Sequence, residues 1–206
     1  VGNYKPLDLG AQGTINMQIV GKGVDALASG SGYATLSFVG IELLETSHRM
    51  NPTRAADPED STKYQEGTGA IGGWEHSEMR TYLADTIKPL IPSNVSAAIK
   101  AVSKNTNSRD TSGNSVTNVV TTDELWIPSH REVFNSSSYD TVGPAYSDIF
   151  TDATSRTKKK PSASSAGSWW LRSASSGTNF RCVYSNGGDS GISGDITFGV
   201  ALGFSI

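Results

Sequence analysis

The chain has 206 residues, 36% of them hydrophobic and 18% charged, with 22 glycines and a formal net charge of −3 at pH 7. That length fits one domain able to bury a core without staples, and the charge balance excludes a global field aimed at nucleic acid or an anionic membrane. Cys182 is the sole cysteine, which excludes an internal disulfide, and the glycine-rich, weakly apolar mix excludes a helix bundle.

Near the start, GTINMQIVGKGVDAL alternates, with Ile15, Met17 and Ile19 on one face and Asn16, Gln18 and Val20 on the other. This period of two predicts a half-buried strand. YATLSFVGIELLET predicts a second strand, joined to the first as a hairpin through the turn-forming ASGSG. The stretch HRMNPTRAADPEDSTKYQEGTGAIGG has no sustained period and predicts a long surface loop.

WEHSEMRTYLADTIKPLI carries a helical stripe at Met79, Tyr82, Leu83 and Ile87. PSNVSAAIKAVSK predicts a second helix, N-capped by Ser93 and buried through Val95, Ile99 and Val102, with Pro89 or Pro92 separating the two. NTNSRDTSGNSVTNVVTT predicts a loop or exposed hairpin. DELWIPSHREVF predicts a short buried strand at Leu125–Ile127 followed by a helical turn. In YSDIFTDATSRTKKKPSASSAGS, the Lys158–Lys160 run predicts a solvated face. The closing FGVALGFSI predicts a strand paired with an N-terminal one. Strands, then helices, then strands describe an α+β fold.

Reactive constellations are sparse. Glu75, His76 and Glu78 lack the second histidine of a helical zinc site. His48, His76 and His130 do not have zinc-ligand spacing, GTGAIGG lacks the Lys-Ser/Thr of a phosphate loop, and RDTSGN lacks the acid pattern of a calcium loop. No metal, cofactor or catalytic residue is expected. Neither a basic-then-apolar leader nor an apolar run long enough to span a bilayer is present, so neither Sec export nor membrane insertion is expected.

The motifs HRMN, GGWEHSEMRTYL, ELWIPSHREVF, WWLRSAS and FGVALGF, with the opening VGNYKPLDLGAQGTINMQIVGKGVDALASG, cover nearly the whole chain. Together they resemble a bacterial and phage domain family with a WWLRS motif and a Gly-Val-x-x-Gly-Phe ending. Its C-terminal block is similar to the variable proteins of diversity-generating retroelements, which have a C-type-lectin fold and include phage receptor-binding tips. The resemblance implies one domain over residues 1–206, with a C-type-lectin-like antiparallel sheet, two helices, long loops and adjacent terminal strands. It implies a non-enzymatic binding protein on a phage tail or cell surface, released by lysis. Its partner would be a host-surface protein or glycan receptor, and it would bind no nucleic acid. Homo-oligomerisation, as a trimer, follows by analogy with phage tips.

Within residues 168–206, Trp169, Trp170 and Arg172 are then scaffold, with Arg172 bonded to backbone carbonyls or a carboxylate. The intervening residues have the composition of a paratope. Expected ligand contacts are Thr178, Asn179, Arg181, Tyr184, Asn186, Asp189, Ser190, Ile192 and Asp195, with Arg181 and Tyr184 as energetic anchors. Alanine at either anchor is expected to abolish binding with little change in Tm. EPN-, QPD- and WND-like calcium-lectin motifs are absent, which weighs against calcium-dependent sugar binding. Two rival readings are a structural virion or cell-wall module and an enzyme of the formylglycine-generating type, which needs a cysteine pair that this chain lacks.

Overall fold

A computed structural model describes residues 2–206. Among the described residues the fold is mixed α+β, with ten strands in three antiparallel sheets and a few short helices. Strands β1 (Tyr4–Asp8), β2 (Thr14–Lys22), β3 (Leu36–Gly40), β6 (Leu125–Trp126) and β10 (Gly203–Ser205) form a five-stranded sheet in the order β1-β2-β3-β10-β6. The expected β2–β3 hairpin forms, and Ile15 and Met17 point into the core. A register irregularity between Ile19 and Gly21 breaks the alternation, and Val20 is buried where strict period two places it outside.

β10 lies between β3 and β6, with Phe204 opposite Phe38 and the two rings stacked 5.3 Å apart. β1 is at the far edge of the sheet, two strands away from β10. The closing segment thus pairs with the early strand β3, as expected, whereas β1 is separated from it by β2 and β3, which corrects only the expectation that the two terminal strands are themselves adjacent.

The first helical stripe forms as α1 (Glu78–Tyr82) and continues through a π-turn at Leu83–Ile87 and a tighter turn at Lys88–Leu90. Met79, Leu83 and Ile87 are buried, as the stripe requires. The second helix is only α2 (Ser93–Ser96), preceded by Pro92 at the cap position that sequence gave to Ser93. Val102 instead begins β4 (Val102–Arg109), which pairs with β5 (Ser115–Asp123) in a hairpin. That hairpin is not simply exposed: alternate β4 residues Val102, Lys104, Thr106 and Ser108 are buried, and only β5 is largely exposed. Val102 is β-branched, and it registers opposite Asp123, so strand pairing prevails over a weak helical signal.

α3 (His130–Phe134) follows β6, and α4 (Ala153–Arg156) precedes the third sheet. That sheet comprises β7 (Trp169–Ala174), β8 (Asn179–Val183) and β9 (Asp189–Ser193) in sequential order. The long loop after β3 packs closely: Met50, Asn51, Ala70 and Ile71 are buried, and Met50 and Asn51 both donate backbone N–H groups to Gly194 O.

The solvated lysine run is corrected at its first member. Lys158 is buried, its Nζ donates to Gly40 O, and the rings of Phe150 and Trp169 lie 5.6 and 5.5 Å from that atom. Burial pushes its pKa down to about 8. Lys159 remains exposed. Among the described residues no helix is long and apolar enough to cross a membrane.

Candidate functional site

The C-terminal block is built on a buried frame. Trp169, Trp170 and Leu171 are each 0% exposed. Both indoles have partners for their N–H groups: Trp169 Nε1 donates to Arg156 O at 3.0 Å, and Trp170 Nε1 donates to His48 O at 2.9 Å. The Gly-Val-x-x-Gly-Phe ending has a steric cause. A Cβ at Gly199 would be driven into Leu43 Cδ1, and one at Gly203 into the Trp126 ring.

Arg172 completes the frame. Its Nη1 and Nη2 bind Glu132 Oε2 and Oε1 at 2.6 and 2.9 Å, Nη1 also donates to Ile127 O at 2.8 Å, and Nε donates to Thr106 Oγ1 at 2.9 Å. Glu132 additionally accepts from Lys104 Nζ at 3.1 Å and from Ser129 N at 2.7 Å, the latter closing the capping box of α3. Lys104 Nζ reaches Asp25 Oδ1 at 2.6 Å and sits 3.4 Å over the Trp126 ring. Burial alone would raise the Glu132 pKa, but Arg172 and Lys104 outweigh it and bring the carboxyl down to about 2.

The other motifs are also scaffold. Asn51 of HRMN accepts from Glu78 N at 2.8 Å and donates to Gly69 O at 3.0 Å, holding the start of α1 against the loop. Trp74 and Arg80 of GGWEHSEMR converge on the buried Asp123 carboxylate, with Nε1–Oδ2 at 3.0 Å and Nε–Oδ1 at 2.6 Å. Asp110 of RDTSGN accepts from Ser112 N and Asn114 N at 2.9 and 2.8 Å, closing its own turn.

On the outer face of β8 and β9 the polar groups gather. Registered pairs share a face of a sheet. Arg181, opposite Gly191, therefore lies with Asn179 on one side, whereas Phe180 and Cys182 lie on the other. Arg181 pairs with Asp189, and its guanidinium sits 4.4 Å over the Tyr139 ring. Asp189 Oδ2 also lies 3.0 Å from His130 Nε2. His130 stacks on Phe134 and meets Tyr139 edge-on, with both centroid separations 4.9 Å. Burial opposes ionisation of Asp189, but hydrogen bonds from His130 and Arg181 prevail and hold its carboxyl below the usual range.

The expected contact residues divide into groups. Arg181 and Asp189 belong to this cluster, Asn179 shares their side of β8 but its Oδ1 accepts from Thr178 Oγ1 at 2.9 Å, and Tyr184 and Asn186 are exposed in the adjoining turn. Thr178 and Asp195 lie towards the long loop: Gly194 N donates to Thr178 O, and Thr53 Oγ1 donates to Asp195 Oδ2 at 2.7 Å. Ser190 and Ile192 register with Cys182 and Phe180, so they are turned from Arg181, and Ile192 packs on the core. Arg181 also differs from an open contact residue, because its side chain is only 12% exposed.

Sequence reading missed His130 and Tyr139, which reach the cluster from 42 to 59 positions away (181 − 139 and 189 − 130). Glu132 was missed as well, although Ser129-x-x-Glu132 is a legible capping signal. Cys182 is fully buried, and burial pushes its thiol up to about 12.

The structure is thus an α+β fold in which a buried tryptophan–arginine strand, β7, carries the polar, partly exposed β8–β9 pair. Residues 49–204 match the model of a domain of unknown function (DUF6273), and the chain belongs to that family. No curated protein and no solved structure matches it.

Proposed function

We propose that this chain is a non-enzymatic recognition module, a C-type-lectin-like scaffold that presents the β8–β9 face and its turn to a partner. In this reading it is a variable protein of a diversity-generating retroelement, carried on a phage tail or cell surface. Its partner is a host-surface protein or glycan.

The observation carrying the reading is the partition of residues 168–206. Trp169, Trp170, Leu171, Arg172 and residues 200–205 are buried, whereas Thr178, Asn179, Tyr184, Asn186, Asp189 and Asp195 retain exposure. Side chains that carry no core contact can change without the fold changing. The Arg181–Asp189–Tyr139 arrangement adds a rigid charged and aromatic centre, the residue chemistry that dominates interface energetics. The fully buried Cys182 weighs against thiol-based oxidase chemistry.

The test is simultaneous randomisation of Thr178, Asn179, Tyr184 and Asn186, followed by display and sorting on unrelated protein and glycan targets. Most library members should fold, and binders should emerge against several targets. General loss of folding, or no binder from a well-folded library, overturns the reading. The retroelement assignment requires a near-copy of the 3′ coding end differing mainly at adenines, beside a reverse-transcriptase gene.

A further inference from the structure

Beside the Arg172–Glu132 pair, the interior holds an amine against a carboxyl group. Lys104 on β4 and Asp25 in the loop after β2 are 79 positions apart in sequence, yet Nζ lies 2.6 Å from Oδ1 and both side chains are 1% exposed. Glu132 of α3 places Oε1 3.1 Å from the same Nζ. The surroundings are aromatic: Nζ sits 3.4 Å over the Trp126 ring and 3.1 Å from Tyr146 Oη. The other oxygen of Asp25, Oδ2, accepts from Ser37 Oγ and, at 2.9 Å, from Tyr146 Oη. Amide formation needs these parts: a nucleophile held at a carboxyl carbon, a neighbouring carboxylate to carry protons, and the exclusion of bulk water.

We propose that Lys104 and Asp25 condense in the folded chain to an isopeptide bond, with Glu132 as the proton carrier. A proton passes from Nζ to Oδ1, leaving a neutral amine and a carboxylic acid. The amine lone pair attacks Cγ, and the Ser37 and Tyr146 hydroxyls meet the negative charge that builds on Oδ2. Glu132 takes a proton from the nitrogen and returns it to Oδ1. The Cγ–Oδ1 bond then breaks, one water leaves, and Glu132 ends as it began. The product replaces a buried cation and a buried anion with one neutral amide, which removes two charges whose desolvation a salt bridge offsets only in part. Lys158, the other buried lysine among the described residues, hydrogen-bonds only the Gly40 and Ile41 carbonyl oxygens and has no carboxyl carbon to attack. The link ties the end of β2 to β4, and so the five-stranded sheet to the β4–β5 hairpin, without touching the β8–β9 face.

The test is the intact mass of the whole, freshly purified chain under denaturing conditions, followed by a tryptic digest. Wild type should weigh one water less than its sequence, and the digest should contain residues 23–49 joined to residues 101–109, uncut after Lys104. Lys104→Arg and Asp25→Ala should carry the full mass of their sequences. Glu132→Gln should form the link about 100-fold more slowly and so remain largely unlinked. The proposal is overturned if wild type has its full sequence mass, if the missing water maps to any other pair of residues, or if Glu132→Gln is linked as completely as wild type. The two wild-type readings decide it even where a variant fails to fold.

Discussion

Arg172 and Glu132 face each other as a two-pronged ion pair, with both side chains at most 2% exposed. The pair joins β7 to α3 and so connects the C-terminal block to the middle of the chain. Such a pair adds little over well-packed apolar residues, but breaking it leaves a charge stranded in the interior. Arg172→Met should therefore cost about 3–5 kcal/mol in urea unfolding. Arg172→Lys should recover only part of this, because an ammonium cannot reproduce the planar fork.

Acid should expose the same cluster. The Glu132 pKa falls from the ordinary 4.5 to about 2 in the folded protein. The group therefore adds stability that is complete above about pH 4.5 and is lost as pH falls towards 2. The stability advantage of wild type over Glu132→Gln should shrink through that window, by at most about 1.4 kcal/mol per pH unit.

Lys158 has the opposite dependence on pH. Its pKa drops from 10.5 to about 8 on folding, so between those values the unfolded chain holds more protons than the folded one. The Lys158 contribution to stability should rise with pH from about 8 to 10.5, with a slope of at most about 1.4 kcal/mol per pH unit. It is read as the difference between wild type and Lys158→Met, because the raised Cys182 thiol acts in the opposite direction above about pH 9. Lys158→Met should abolish that rise. Unfolding measured in parallel across this range checks both chains.

The two glycines of the terminal motif should differ in their tolerance of alanine. At Gly203 the added methyl meets the face of the fully buried Trp126, which has no room to move. At Gly199 it meets the far end of the Leu43 side chain, also buried but a smaller and more flexible group than an indole, with the Ser168 carbonyl oxygen at 3.1 Å. Both substitutions overpack the core at a cost of about 1–3 kcal/mol. Thermal unfolding should rank Gly203→Ala as the more damaging.

Tyr184 and Arg181 are separable by stability. Tyr184 is exposed, and Tyr184→Ala should change unfolding by no more than about 0.5 kcal/mol. Arg181→Ala removes a largely buried partner of Asp189 and uncovers Tyr139, at a cost of about 1–3 kcal/mol. An unchanged Tm is therefore predicted for Tyr184→Ala and not for Arg181→Ala. Loss of partner binding in Tyr184→Ala would be free of any folding explanation.

Local patterning made several elements readable. The alternation from Thr14 onward, the stripe through Met79 and Leu83, and the paired tryptophans all report burial by short-range periodicity or size. The expectation that Arg172 serves the scaffold also holds, since a guanidinium beside buried tryptophans needs carbonyl and carboxylate partners. Lys158 misled because its neighbours in sequence are lysines, whereas its neighbours in space are Gly40, Phe150 and Trp169. The division of Arg181 from Ser190 and Ile192 depends on the β8–β9 register, which composition does not encode. His130 and Tyr139 meet Asp189 and Arg181 only through tertiary packing, so no spacing rule finds them.

The placement of β10 has a consequence for biosynthesis. Ser205 lies beside Ser37, 168 residues earlier in the chain, and Phe204 bridges Phe38 to Leu125. While the ribosome still holds residues 203–205, β3 and β6 have no strand between them and the largest sheet stands open. Closure must then await emergence of residues 203–205 from the ribosome, a long-range step that slows folding and leaves unpaired edges available to chaperones in the interval.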